Sequence, residues 1–139
     1  MARIVAIDYG MKRCGIAVTD EFQIIATALT TVDSKTIFDF LKQYFIKEKV
    51  EQIVVGYPKD LLNRDTHGTK PVEDFVKKMN QLFPAYKINL VDERFTSKMA
   101  SQSMVMSGVK KSQRQDKGLI DQISATIILQ HYLETKNRF

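Results

Sequence analysis

Three short runs constrain this chain most: Ile4-Val5-Ala6-Ile7, Ile53-Val54-Val55 and Ile88-Asn89-Leu90-Val91. The first two are apolar at every position, which is the pattern of strands covered on both faces rather than strands with one wet side. The second follows Ile37, Phe38, Leu41, Tyr44 and Phe45 at helical spacing, a helix that Asp33 or Ser34 can cap and that runs to about Glu48. The third follows a helix opened by Pro71 and running to about Leu82. Strands joined through helical crossovers run parallel, so these three make the parallel part of a sheet.

The remaining strands come early. Arg3 to Asp8 and Gly15 to Thr19 are near enough to pair as an antiparallel hairpin around Tyr9-Gly10-Met11-Lys12. After an Asp20-Glu21 turn, a third stretch near Ile24 to Leu29 extends them to a meander. The expected fold is therefore α/β: a five-stranded mixed sheet, a three-strand antiparallel meander plus two parallel strands, with helices on its faces. A helix capped by Thr96 or Ser97, carrying Met99, Met104 and Met106 and closed by Gly108, and a last helix from about Leu119 to Glu134 complete the chain.

At 139 residues this is the size of one ordinary domain, with no repeat or linker, so residues 1–139 are expected to form a single unit. An ATPase that closes two such lobes around a nucleotide is thereby disfavoured. The lone Cys14 cannot staple a fold or build a zinc cage and reads as a small buried hydrophobe. No apolar run is long enough to span a bilayer and MARIVAID lacks the pattern of a signal peptide, so a cytoplasmic protein with no membrane partner is expected. A net charge of +5 favours a polyanionic partner. The charge is densest in GVKKSQRQDKG, where Lys110, Lys111, Arg114 and Lys117 face one acid, Asp116, in an expected exposed loop between Gly108 and Gly118.

Ligand sites gather at the carboxyl ends of parallel strands. Asp8 stands at one such end and Asp92-Glu93 at another. A carboxylate at the mouth of a core either caps the Tyr9-Gly10 turn or holds a cation. Strand alternation gives one of Asp92 and Glu93 to the Asp8 side, without deciding which; the other, with Arg94, suits a pair fixing the strand end. Asp121 leads the stripe Ala125, Ile128, Tyr132 on the last helix and is either a helix-start acid or an inward-facing one. If three such acids converge, a hard divalent cation relieves their repulsion. Carboxylate-held Mg2+ or Mn2+, in pairs about 3.5 to 4 Å apart, is the chemistry of phosphodiester hydrolysis.

Over almost its whole length the chain resembles the YqgF family of Holliday-junction-resolvase-like nucleases, which have an RNase H-like fold. The resemblance is carried by Asp8-x-Gly10 with Arg13, Gly15, Ala17 and Asp20; by Gly56-x-Pro58 with Gly68-Thr69; by Asp92-Glu93-Arg94-x-Thr96 with Ala100; and by Ile120-Asp121 leading to Ile128-Leu129-Gln130-x-Tyr132-Leu133. It implies that Asp8, Glu93 and Asp121 are the catalytic, metal-binding acids, with two Mg2+ or Mn2+ ions. It also implies maturation of the 5′ end of the small-subunit ribosomal RNA precursor, with cleavage of four-way DNA junctions as an alternative and a non-catalytic RNA-binding role in ribosome assembly as another. On that basis the partners are nucleic acid and a ribosomal particle, with the protein a monomer or a homodimer. Arg13 either contacts a substrate phosphate or neutralises one acid, while Lys110, Lys111, Arg114 and Lys117 hold the nucleic-acid backbone without reading bases. The chain departs from the family pattern at Tyr57 and Lys59-Asp60, in a loop expected to border the substrate, and at Ser124, which replaces an alanine. His67 and His131 are expected on the surface or a helix face.

Overall fold

The computed structural model describes residues 2–57, 69–92 and 117–136. Among these, β1 (Arg3–Asp8), β2 (Arg13–Thr19), β3 (Ala26–Asp33), β4 (Val50–Tyr57) and β5 (Lys87–Asp92) form one sheet in the order β3-β2-β1-β4-β5. β1 pairs antiparallel with β2, and β2 with β3, while β1–β4 and β4–β5 are parallel. This is the expected meander plus two parallel strands. Three helices accompany them among the described residues: α1 (Ile37–Lys47), α2 (Thr69–Leu82) and α3 (Lys117–Lys136). The expected helix from Thr96 or Ser97 to Gly108 lies outside the described residues.

The all-apolar strands do bury both faces. On one side Val5, Ile7, Ile53 and Val55 meet Ile37 and Leu41 of α1 and Val72, Phe75 and Met79 of α2. On the other, Ile4, Ala6, Ala17, Val54 and Val91 meet Ala125, Ile128, Leu129 and Leu133 of α3. Each large apolar side chain buried this way contributes about 1.5 to 3 kcal/mol relative to an exposed one. Ala6 and Ala17, small residues paired across β1–β2, leave α3 room to lie close to the sheet.

Several boundaries differ from expectation, among them the start of α2, which is Thr69 rather than Pro71. The third strand is Ala26–Asp33 rather than Ile24 to Leu29, because the Asp20 carboxylate accepts backbone N–H groups of Phe22, Ile24 and Ile25 and so claims those residues for the turn. Ile24 and Ile25 are consequently exposed. Asp33 ends β3 and accepts the Lys35 N–H, while Thr36 occupies the N-cap position of α1 without a side-chain cap bond; neither Asp33 nor Ser34 caps that helix. The last helix begins at Lys117, so Lys117 and Gly118 belong to a helical first turn and not to the basic loop. Gly118 weakens that first turn by about 1 kcal/mol relative to alanine, a cost in backbone entropy that the packing of Ala125, Ile128, Leu129 and Leu133 against the sheet outweighs.

Candidate active site

Asp8 is the last residue of β1 and lies directly across the ladder from Gly15 of β2. Ile4 and Ala6 belong to the α3-side core, so alternation gives Asp8 to that side as well. Gly15 explains how α3 reaches the same place. A Cβ at position 15 would stand 1.9 Å from the Asp121 carbonyl oxygen and 2.9 Å from the Gln122 nitrogen, so only glycine admits the first turns of the helix. Asp8, Gly15 and Asp121 are thus stacked in one column: strand end, bare backbone, helix start.

Arg13 completes the column from the side. The second strand starts two residues earlier than expected, at Arg13, which gives that side chain the same face as Gly15 and Ala17. Its Nε donates to Asp121 Oδ2 at 2.6 Å, with both side chains partly buried. Of the two roles open to Arg13, neutralising an acid is the one this geometry displays. A cleft of about 390 Å³ opens beside the pair, lined by Gly10, Met11, Lys12, Arg13 and Asp121. Lys12 was not singled out by its sequence context, since a lysine in a hairpin turn is ordinary; only the cleft distinguishes it.

The turn that carries Lys12 is fastened. Ser34 donates its Oγ proton to the Met11 carbonyl at 2.6 Å, and its backbone N–H to the Lys12 carbonyl at 3.1 Å. Cys14 reports the electrostatics of the column. Burial, and then the negative charges of Asp8, Asp121 and Asp33, push its thiol up to about 11, against a hydrogen bond with the Gly10 backbone that pulls it down. The charges of Asp8 and Asp121 thus both bear on one residue of β2. Two carboxylates on one side of the sheet form an oxygen-only donor set, which fits a hard divalent cation better than a soft one. Among the described residues no group of three His, Cys, Asp or Glu gathers around one point.

The other expected site residues divide by position. Tyr57 closes β4, its backbone paired with Asp92 of β5, so the Gly56-Tyr57 end and the Asp92 end lie side by side. Glu93, Lys59, Lys110, Lys111 and Arg114 lie outside the described residues, as does His67. His131 is exposed on α3, as expected of a helix-face residue. Ser124, the departure on α3, is 1% exposed with its Oγ lacking a hydrogen-bond partner among the described residues. Tyr132 donates to Gln52 Oε1 at 2.5 Å, and Asn89 donates to the same oxygen at 3.1 Å, a polar knot between α3, β4 and β5 that periodicity alone did not reveal.

Comparison with known proteins bears on the whole chain. Residues 2–135 match the family model described as RuvX: Holliday junction resolvase. A Flavobacterium johnsoniae protein named "Putative pre-16S rRNA nuclease" is 56% identical over 136 residues, covering 98% of this chain and 99% of its own. A Flavobacterium psychrophilum protein of the same name is 57% identical with the same coverage. Among solved structures, T. thermophilus RuvC in complex with Holliday junction substrate superposes with a TM-score of 0.56 at 12% identity, covering 99% of this chain and 96% of that one. At that identity the likeness speaks for the fold, which is RNase H-like.

Proposed function

Given that the chain belongs to the RuvX family, the YqgF family of the sequence resemblance, we propose that it is a metal-dependent nuclease hydrolysing phosphodiester bonds in 5′-end processing of pre-16S rRNA. The observation that carries this is the Asp8–Gly15–Asp121 column, which places one carboxylate at the carboxyl end of the central strand and another at the start of the helix packed over its neighbour, with Arg13 bonded to the second. Glu93 is the third acid of the proposal. The family resemblance supports it over Asp92.

In this reading Asp8, Glu93 and Asp121 would hold Mg2+ or Mn2+, and the chemistry such ions would supply when bound is activation of a water and stabilisation of the leaving oxygen. Arg13 fixes the Asp121 carboxylate through Nε and balances its charge. Because its guanidinium presents further donors in the same plane, it also suits a phosphate arriving at the cleft. Lys12, with Lys110, Lys111, Arg114 and Lys117, supplies backbone contacts that carry no base preference. Tyr57 and Lys59 border the substrate from the β4 end. No described helix is long and apolar enough to cross a membrane. The proposal places the protein in the cytoplasm, acting on a ribosomal particle.

The test compares purified protein with its Asp8→Asn variant on a 5′-extended pre-16S rRNA and on a four-way DNA junction, with Mg2+, Mn2+ or EDTA. Metal-dependent cleavage of the RNA, lost in the variant, is the expected result. Preference for the junction would replace the substrate with branched DNA, and a dimer on sizing would accompany symmetric cutting. Salt-sensitive binding without cleavage in either protein would overturn the nuclease and leave an assembly factor.

A further inference from the structure

On the opposite side of the β1–β2 turn from Asp121 lies a second cleft, of about 380 Å³, lined among the described residues by Tyr9, Met11, Phe38, Pro71, Phe75 and Lys78, with Asp74 at its rim. We propose that it is a stacking subsite for an unpaired base of the nucleic-acid strand that reaches the Asp8 end. The proposal rests on the nucleic-acid reading above and adds to it a place where single-stranded substrate is distinguished from paired substrate.

The lining suits a base. Tyr9 stacks on Phe75 with centroids 4.4 Å apart and planes 16° from parallel, and Phe38 leans on the same ring at 5.5 Å. Phe75 is buried and serves as the floor, while Tyr9 and Phe38 are half-buried and reach the rim. A stack already held by the core loses little freedom on taking up another flat ring, and base–aromatic stacking contributes about 1 to 3 kcal/mol per base. The volume falls in the range of small-ligand sites, about 300 to 1,000 Å³.

Charge and continuity select the strand of a polyanion over an apolar partner. Lys78 Nζ stands 4.8 Å from the Phe38 centroid, at the rim where a phosphate flanking a stacked base would pass. Lys70 and Lys77 are exposed on the same helix, and Asp74 is paired with Lys70 at 3.7 Å, which blunts the one acid at the rim. Met11 links the two clefts. It is 74% exposed at the apex of the turn and lines both the aromatic cleft and the Arg13–Asp121 cleft, so a strand crossing the turn touches both in succession. An exposed thioether there is a soft, polarizable surface for π-faces.

The experiment is binding in EDTA, where no cleavage enters. A single-stranded RNA hexamer carrying 2-aminopurine is titrated with wild type, Tyr9→Phe, Tyr9→Leu, Lys78→Gln and Met11→Ser, alongside a blunt RNA duplex of the same sequence. Expected are quenching of 2-aminopurine by wild type and Tyr9→Phe, and a 5- to 20-fold affinity loss with diminished quenching for Tyr9→Leu, on the order of one stacked base. Met11→Ser, at an exposed position that folding does not depend on, weakens the hexamer in the same sense, and Lys78→Gln lowers the salt slope by about 1. Duplex binding stays the same for Tyr9→Leu and Met11→Ser. Hexamer binding with no quenching, and with Met11→Ser and Tyr9→Leu indistinguishable from wild type, overturns the subsite while leaving the nucleic-acid reading standing. Failure of wild type to bind any RNA or the four-way DNA junction overturns both.

Discussion

Arg13 and Asp121, 108 residues apart in sequence, are joined by a 2.6 Å bond from Nε to Oδ2 that ties the start of β2 to the first turns of α3. A pair of this kind, partly buried and charge-assisted, holds geometry more than it adds stability. Arg13→Gln is expected to cost about 1 kcal/mol in urea unfolding, and a double-mutant cycle with Asp121→Asn to show a coupling energy of about 1 kcal/mol. Arg13→Lys recovers less than half, because an ammonium lacks the planar Nε donor. Additive single-variant effects would mean that the contact is incidental.

Gly15 is the position where a single methyl does most harm. Its Cβ would fall on the backbone of Asp121 and Gln122, not on a movable side-chain tip. Gly15→Ala is expected to lower stability by about 3 kcal/mol or to push α3 off the sheet. Thermal unfolding together with Asp8-dependent activity checks this, since a displaced helix costs activity even where the fold survives.

Ser124 points the other way. A hydroxyl buried without a partner costs about 1 to 3 kcal/mol, and alanine fits the same space. Ser124→Ala is expected to raise the urea midpoint, by about 1 kcal/mol in stability, with the m-value unchanged. Destabilisation on making this change would show that the hydroxyl has a use.

Cys14 predicts a pH dependence. Its thiol is pushed up to about 11 from an ordinary 9.0, so between these values the folded protein holds a proton that the unfolded chain has released. Stability from this group is complete below about pH 9 and is lost as pH rises towards 11, by at most about 2 to 3 kcal/mol. Tyr9, Tyr44 and Tyr132, each raised first by burial, act in the same direction at slightly higher pH. Unfolding midpoints from pH 8 to 10.5 should fall for wild type and fall less for Cys14→Ala. Iodoacetamide should label native Cys14 only slowly at pH 8.5.

Legibility followed the range of each interaction. The five strands, their pairing sense and the helix on each face could be read because apolar periodicity is local and strong in IVAI, IVV and the Ile37–Phe45 stripe. Asp8 and Asp121 stood out as acids at strand-end and helix-start positions. What could not be read depended on distant partners or on one hydrogen bond. The partner of Arg13 lies across the fold, the Gly15 contact is a backbone approach with no side-chain signature, and the shift of β3 hangs on the Asp20 carboxylate capturing three N–H groups. The start of the last helix at Lys117 escapes a local reading because Gly118 has a low helix propensity.

The sheet also sets an order of events in synthesis. Its α3 side is closed by residues 125–133, so while the chain is still growing Ile4, Ala6, Ala17 and Val54 wait on an uncovered face. Asp8 and Arg13 are made well before Asp121. A chain halted before α3 is a half-clad sheet without its second carboxylate, so the proposed chemistry is silent until that helix has been made. Under the proposed function, an enzyme that matures ribosomal RNA and is itself made by ribosomes acquires its cutting edge only once α3 has closed over the sheet.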